Sequence, residues 1–147
     1  MAALTITPAN VLPVNSTQPD LQTLYTAAAS ITAGQAVALN QNNRNWVLAA
    51  SDAAATDIEA GAAGAANVGV AVCNAAAGQP IVVQYRGLIT FGVTLVVGKM
   101  YVVGPQADGA IAPVDDLAAT HRPTYLGYAV TAANLQLAVA PTGVVHG

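Results

Sequence analysis

Ala33-Gly34-Gln35-Ala36-Val37-Ala38-Leu39 and Val97-Gly98-Lys99-Met100-Tyr101-Val102-Val103 are the two stretches on which the fold reading turns. Each starts with a glycine at a turn position and runs into a short apolar strand. The same register, an offset of 64 with no gap, sets Asp52-Ala53-Ala54-Ala55-Thr56-Asp57 against Asp116-Leu117-Ala118-Ala119-Thr120-His121. After a shorter loop in the second copy, Val68-Gly69-Val70-Ala71-Val72 parallels Leu126-Gly127-Tyr128-Ala129-Val130. Each copy closes on an alternating strand, Ile81-Val82-Val83-Gln84 and Leu135-Gln136-Leu137-Ala138. The competing reading is chance similarity in a text rich in alanine and valine. Two separated blocks that match in one register favour a duplication. Gly69 and Gly127, central in otherwise strand-like runs, mark a kink or a close backbone approach.

Outward from these blocks, the chain reads as short β-runs between turn signals. The runs are 22–27, 35–39, 45–49, 68–73, 80–85, 87–91, 99–103, 110–114, 124–130 and 134–139. Turn residues between them include Ala33-Gly34, Asn42-Asn43, Ala77-Gly78, Val97-Gly98 and Asp108-Gly109. Apolar residues at period two, as in Val68-Gly69-Val70-Ala71-Val72, give strands one buried face. The expected fold is all-β: a small β-barrel or β-tulip-like domain built from two pseudo-repeated halves. Residues 51–66 admit either a brief helix or a loop, with Gly61 and Gly64 limiting any helix.

The first twenty residues differ. Pro8, Pro13 and Pro19 hold this segment extended. It nevertheless carries Leu4, Ile6, Val11, Leu12 and Val14, more apolar surface than a solvated tail needs. Such an arm lies either on its own domain or on a neighbour. The expected organisation is an arm over 1–20, a β-barrel domain over 21–143 and a tail over 144–147. Leu4, Ile6, Pro8, Val11, Leu12 and Val14 are the candidate partner-contact residues.

Only 7% of the residues are charged, against roughly 25% in an average soluble domain. Hydrophobic residues make up 54%, a figure inflated by alanine. Depletion of charge is what a surface covered by other subunits requires, although genome composition produces the same bias. The net charge is −3, and the basic residues Arg44, Arg86, Lys99 and Arg122 are scattered. Neither a nucleic-acid surface nor an anionic-membrane surface is therefore expected. Cys73 stands alone in a valine-rich run and reads as an inert thiol. The start of the chain lacks the pattern of a secretory signal. The uncharged stretch 60–83 is broken by Asn67, Asn74, Gln79 and Pro80, which argues against a membrane span. A reducing cytoplasm is the expected place of synthesis.

Little in the sequence points to catalysis. The sequence holds no Gly-x-Ser-x-Gly, P-loop or Gly-x-Gly-x-x-Gly motif. Asp115, Asp116, His121 and Arg122 form its one cluster of titratable side chains. A metal or acid–base site needs two or three such groups converging. An exposed loop carrying an Asp–Arg pair is the ordinary reading, and the first copy has no histidine at the matching place. His146 falls in the C-terminal tail. Trp46 and the tyrosines suggest either a carbohydrate platform or packing in a core or interface, the second being the commoner use.

The order of a glycine turn with its strand at 34–39, Val68 to Val72, Ala76 to Gln84 and Arg86-Gly87 resembles the small capsid decoration, or cement, proteins of tailed bacteriophages. Gly98 to Val103 and Tyr125 to Val130 also resemble repeats of phage structural proteins in general. The resemblance spans most of the chain after the arm and consists of turns and strands. It implies a barrel or tulip fold, a homotrimer on the outer capsid surface and an arm reaching onto neighbouring subunits. It also implies a role in bridging major capsid protein subunits against the pressure of packaged DNA. It implies no enzymatic activity, cofactor or metal, no direct nucleic-acid or membrane contact, and synthesis in the host bacterial cytoplasm. The alternative is a head-fibre or tail and baseplate module with receptor or glycan binding. A small enzyme using Asp115, Asp116 and His121 is the remote rival.

Overall fold

Valine-rich runs separated by glycine turns give strands throughout. The computed structural model describes residues 4–14, 20–23, 25–39, 44–49, 68–104, 109–116 and 124–141. The strands are β1 (Leu12–Pro13), β2 (Asp20–Gln22), β3 (Ala36–Leu39), β4 (Trp46–Leu48) and β5 (Val68–Ala71), then β6 (Val83–Thr90), β7 (Met100–Val103), β8 (Ile111–Pro113), β9 (Thr124–Ala129) and β10 (Asn134–Pro141). Two single-turn 3-10 segments, Pro8–Asn10 and Val114–Asp116, complete the described elements. Eight strands form one antiparallel sheet in the order β4-β3-β5-β6-β10-β9-β7-β8, curled into a half-barrel. The all-β expectation holds. Residues 51–66, where a helix or loop was open, lie outside the described residues, as does the tail over 144–147.

The duplication is written into the topology. The first half is β4-β3-β5-β6 and the second is β8-β7-β9-β10, with the same connections, joined where β6 pairs with β10. The registers also agree. Ala36 lies opposite Val70 and Val37 opposite Gly69, as Met100 lies opposite Tyr128 and Tyr101 opposite Gly127. Val70 pairs with Gln84 and Ala71 with Val83, as Tyr128 pairs with Gln136 and Ala129 with Leu135. The match breaks at the hairpins, where Val37 faces Leu48 but Tyr101 faces Pro113, one residue further along, and at a register shift after Tyr101, where Val102 faces Tyr125 while Ala38 faces Val68.

Gly69 and Gly127 occupy the same crossing in the two halves. A Cβ on Gly69 would stand 2.6 Å from the Gln84 carbonyl oxygen, and one on Gly127 would overlap the Gln136 carbonyl oxygen. Both positions demand glycine because two strand backbones pass within contact there.

β6 joins the halves and changes face along its length. Val83 packs in an outer apolar cluster with Val37, Leu39, Trp46 and Ile81. Ile89 packs in the inner cluster with Val70, Phe91, Tyr101, Leu126 and Leu135. An even spacing keeps side chains on one face of a regular strand. Here a bulge skips Tyr85 in the pairing with β2, and Gly87 takes a φ of +95°. The two irregularities turn the strand over. The buried Gln84 side chain spans the turnover, its Nε2 donating to the carbonyls of Arg86 (3.1 Å) and Leu88 (2.9 Å). The predicted runs 80–85 and 87–91 thus meet in one continuous strand, Val83–Thr90, which leaves residues 80–82 and 91 outside it. Among the described residues of the predicted run 22–27, only Gln22, the last residue of β2, belongs to a strand, while Thr26 and Ala27 make isolated bridges to Pro80 and Trp46.

Each outermost strand makes backbone bonds to the rest of the chain on its outer edge, at one residue. Trp46 donates its backbone N–H to Thr26 and accepts from Ala28 on β4. On β8, Ile111 accepts from the Leu4 N–H (2.8 Å). The turn before β8 closes the curl: Gly109 donates to the Ala49 carbonyl and accepts from the Ala36 N–H, each at 2.8 Å.

Candidate functional site

The arm residues singled out in the sequence do not share one environment. After the 3-10 turn Pro8–Asn10, the chain enters β1 and pairs with the C-terminal part of β6, Leu12 opposite Thr90 and Pro13 opposite Ile89. Val14 donates to the Leu88 carbonyl (3.0 Å). Val11 is buried in the inner cluster of its own domain, and Leu4 and Ile6 pack against that cluster from its rim. Pro8 and Val14 are half-buried. Leu12 alone of the six turns its side chain outward, at 58% exposure. Of the two destinations open to the arm, its described residues take the intramolecular one. The boundary at residue 20 is not a structural break, since β2 begins there and pairs with the N-terminal part of β6.

Leu4 and Ile6 wall a cleft of about 230 Å³ together with Thr32, Gly34, Gln35 and Ile111. Its lining joins the aliphatic side chains of Leu4, Ile6 and Ile111 to the polar Thr32 and Gln35, with no titratable group, so it offers no acid–base or metal chemistry.

The titratable cluster falls only partly within the described residues. Asp115 pairs with Lys99 across an exposed surface, where such a pair contributes little. Asp116 closes the 3-10 segment, while His121 and Arg122 lie outside the described residues. Among the described residues, no three metal-ligating side chains converge, and no helix is long and apolar enough to cross a membrane. Cys73 is half-buried, its Sγ accepting the Val82 N–H at 3.3 Å.

Trp46 is 1% exposed and fills the outer cluster. Tyr25 packs against the same cluster, and the Arg44 guanidinium lies 5.6 Å from the Tyr25 ring centroid. Core packing, not a carbohydrate platform, is the use this tryptophan is put to.

The exposed large apolar side chains lie elsewhere. Leu12 and Leu21 stand on β1 and β2, the two arm strands along β6. Val96, Val97, Tyr128 and Val130 form a second group. Backbone bonds bring this group together: Gly98 donates to the Ala129 carbonyl (2.8 Å) and Lys99 to the Val96 carbonyl (3.0 Å). Sequence reading passed over it, although a signal was present. Two β-branched valines precede Gly98 at a turn tip, where polar residues are the rule.

No protein-family model and no curated protein matches this sequence.

Proposed function

We propose that this chain is a non-enzymatic virion structural protein, a capsid decoration protein that binds the outer capsid surface as a homotrimer and bridges major capsid protein subunits. The observation that carries the reading is the surface. A chain with 7% charged residues presents Leu12 and Leu21 on one set of strands and Val96, Val97, Tyr128 and Val130 at a turn. Grouped apolar side chains with few charges around them mark protein contact surfaces. The phage-like order of turns and strands supplies the rest of the reading. In this role several modest contacts, linked through an oligomer, hold the shell by avidity. A head-fibre or baseplate module that binds a glycan is the second reading, and it draws on the exposed Tyr128.

Light scattering after size exclusion tests self-association. The reading expects a species of three times 14.6 kDa. Cosedimentation with capsid shells of the cognate particle tests the partner. A monomer that also fails to sediment with those shells sinks the reading.

A further inference from the structure

The two repeats carry the same turn at their first strands. In the first, Gly34 donates to Ala71, Gln35 to Thr32, and Ala71 to Gln35. In the second, Gly98 donates to Ala129, Lys99 to Val96, and Ala129 to Lys99. Both glycines have positive φ, +94° and +81°. Each of these three backbone bonds has its counterpart in the other turn.

Their side-chain partners differ, the Thr32 and Ala33 N–H groups donating to Gln35 Oε1 and Asn74 Oδ1 and the Val96 N–H to the Tyr101 hydroxyl, and so does their cover. The first turn is covered by the arm: a Cβ on Gly34 would lie 2.6 Å from Ile6 Cγ2 and 3.0 Å from Val11 Cγ2. The second is bare, with no described atom within 4 Å of a Cβ on Gly98. It is also the more apolar of the two. Val96 and Val97 stand where the first turn has Thr32 and Ala33, and they are 49% and 62% exposed. Tyr128 and Val130, beside them, are exposed as well.

From this asymmetry we infer that the Val96–Lys99 turn, flanked by Tyr128 and Val130, is the docking site for an extended apolar segment of a partner protein. That segment lies on the second repeat as Leu4 to Val11 lies on the first. The chemistry required is that of the arm: an extended strand without charge, bearing branched aliphatic side chains. The chain's own arm is not the occupant, because Val11 is committed to the inner core and its withdrawal would empty that position. The inference rests on the repeat and stands whether or not the partner belongs to a virion.

A fluorescein-labelled peptide of residues 4–14 is the probe, titrated by anisotropy into the full-length chain. Saturable one-to-one binding is expected. Val97→Asp should weaken it at least about tenfold, through loss of one buried aliphatic side chain and burial of a charge. Ala77→Asp, at an exposed turn of the first repeat, should leave it unchanged. Both positions are exposed, and circular dichroism confirms that each variant folds. Absence of saturable binding, or equal binding to the Val97→Asp protein, overturns the inference. So does self-association of the wild-type chain that Val97→Asp abolishes, since the turn would then be a contact between copies.

Discussion

Replacing Gly127 by alanine tests the strand crossing directly. The new methyl group would overlap the carbonyl oxygen of Gln136 and stand 2.8 Å from its carbonyl carbon and 3.1 Å from Leu137 Cα. All three are backbone atoms of β10, so no rotamer change relieves the clash and the two strands must part. Overpacking of this kind costs about 1–3 kcal/mol, and alanine returns only about 0.4–1 kcal/mol by restricting the unfolded chain. With a main-chain obstacle the upper part of the first range applies, giving a net loss of about 2 kcal/mol. Gly69→Ala meets one carbonyl oxygen and the movable Val83 Cγ1, both at 2.6 Å, and should cost about 1 kcal/mol. Urea unfolding followed by the fluorescence of Trp46 measures both. At about 2–4 °C per kcal/mol for a chain of this size, the Gly127 variant should melt some 4–8 °C lower. A Gly127→Ala protein within about 0.5 kcal/mol of wild type, the range of an ordinary surface change, would refute the close approach.

Val11→Ala should destabilise the domain by about 2 kcal/mol through an inner-core cavity, while Leu12→Ala next to it, being exposed, should stay within about 0.5 kcal/mol; urea midpoints separate the two. Gln84→Leu removes the donor that holds the Arg86 and Leu88 carbonyls across the turnover of β6, and should cost about 1–3 kcal/mol in the same assay. Trp46, buried in the outer cluster, should show blue-shifted emission resistant to acrylamide, and Trp46→Ala should cost about 3–5 kcal/mol.

The duplication was legible because its carriers, Gly34 with Gly98 and Gly69 with Gly127, are fixed by backbone geometry and so persist in the text in the same order, although the loop between them is shorter in the second copy. The one-residue difference between the hairpins was not, because hairpin length changes without disturbing the strands on either side. The unity of β6 was hidden by Gly87, which reads as a break and is in fact the point where one strand turns over. For the arm, composition told that Leu4, Ile6 and Val11 need cover. Where they find it depends on Gly34 and Ile111, far along the chain, and no local pattern encodes that. The turn at Val96 and Val97 stood out only when compared with its covered twin.

The covering of β4 by Thr26 and Ala28 and of β8 by Leu4 has a consequence for behaviour at high concentration. Bare sheet edges recruit further strands and lead to fibrils, a hazard most proteins blunt with lysine and other charges at the edge. This chain has few charges to spend in that way. It occupies part of each rim with its own backbone, at Trp46 on β4 and Ile111 on β8, and protection that comes from such bonds should change little with ionic strength.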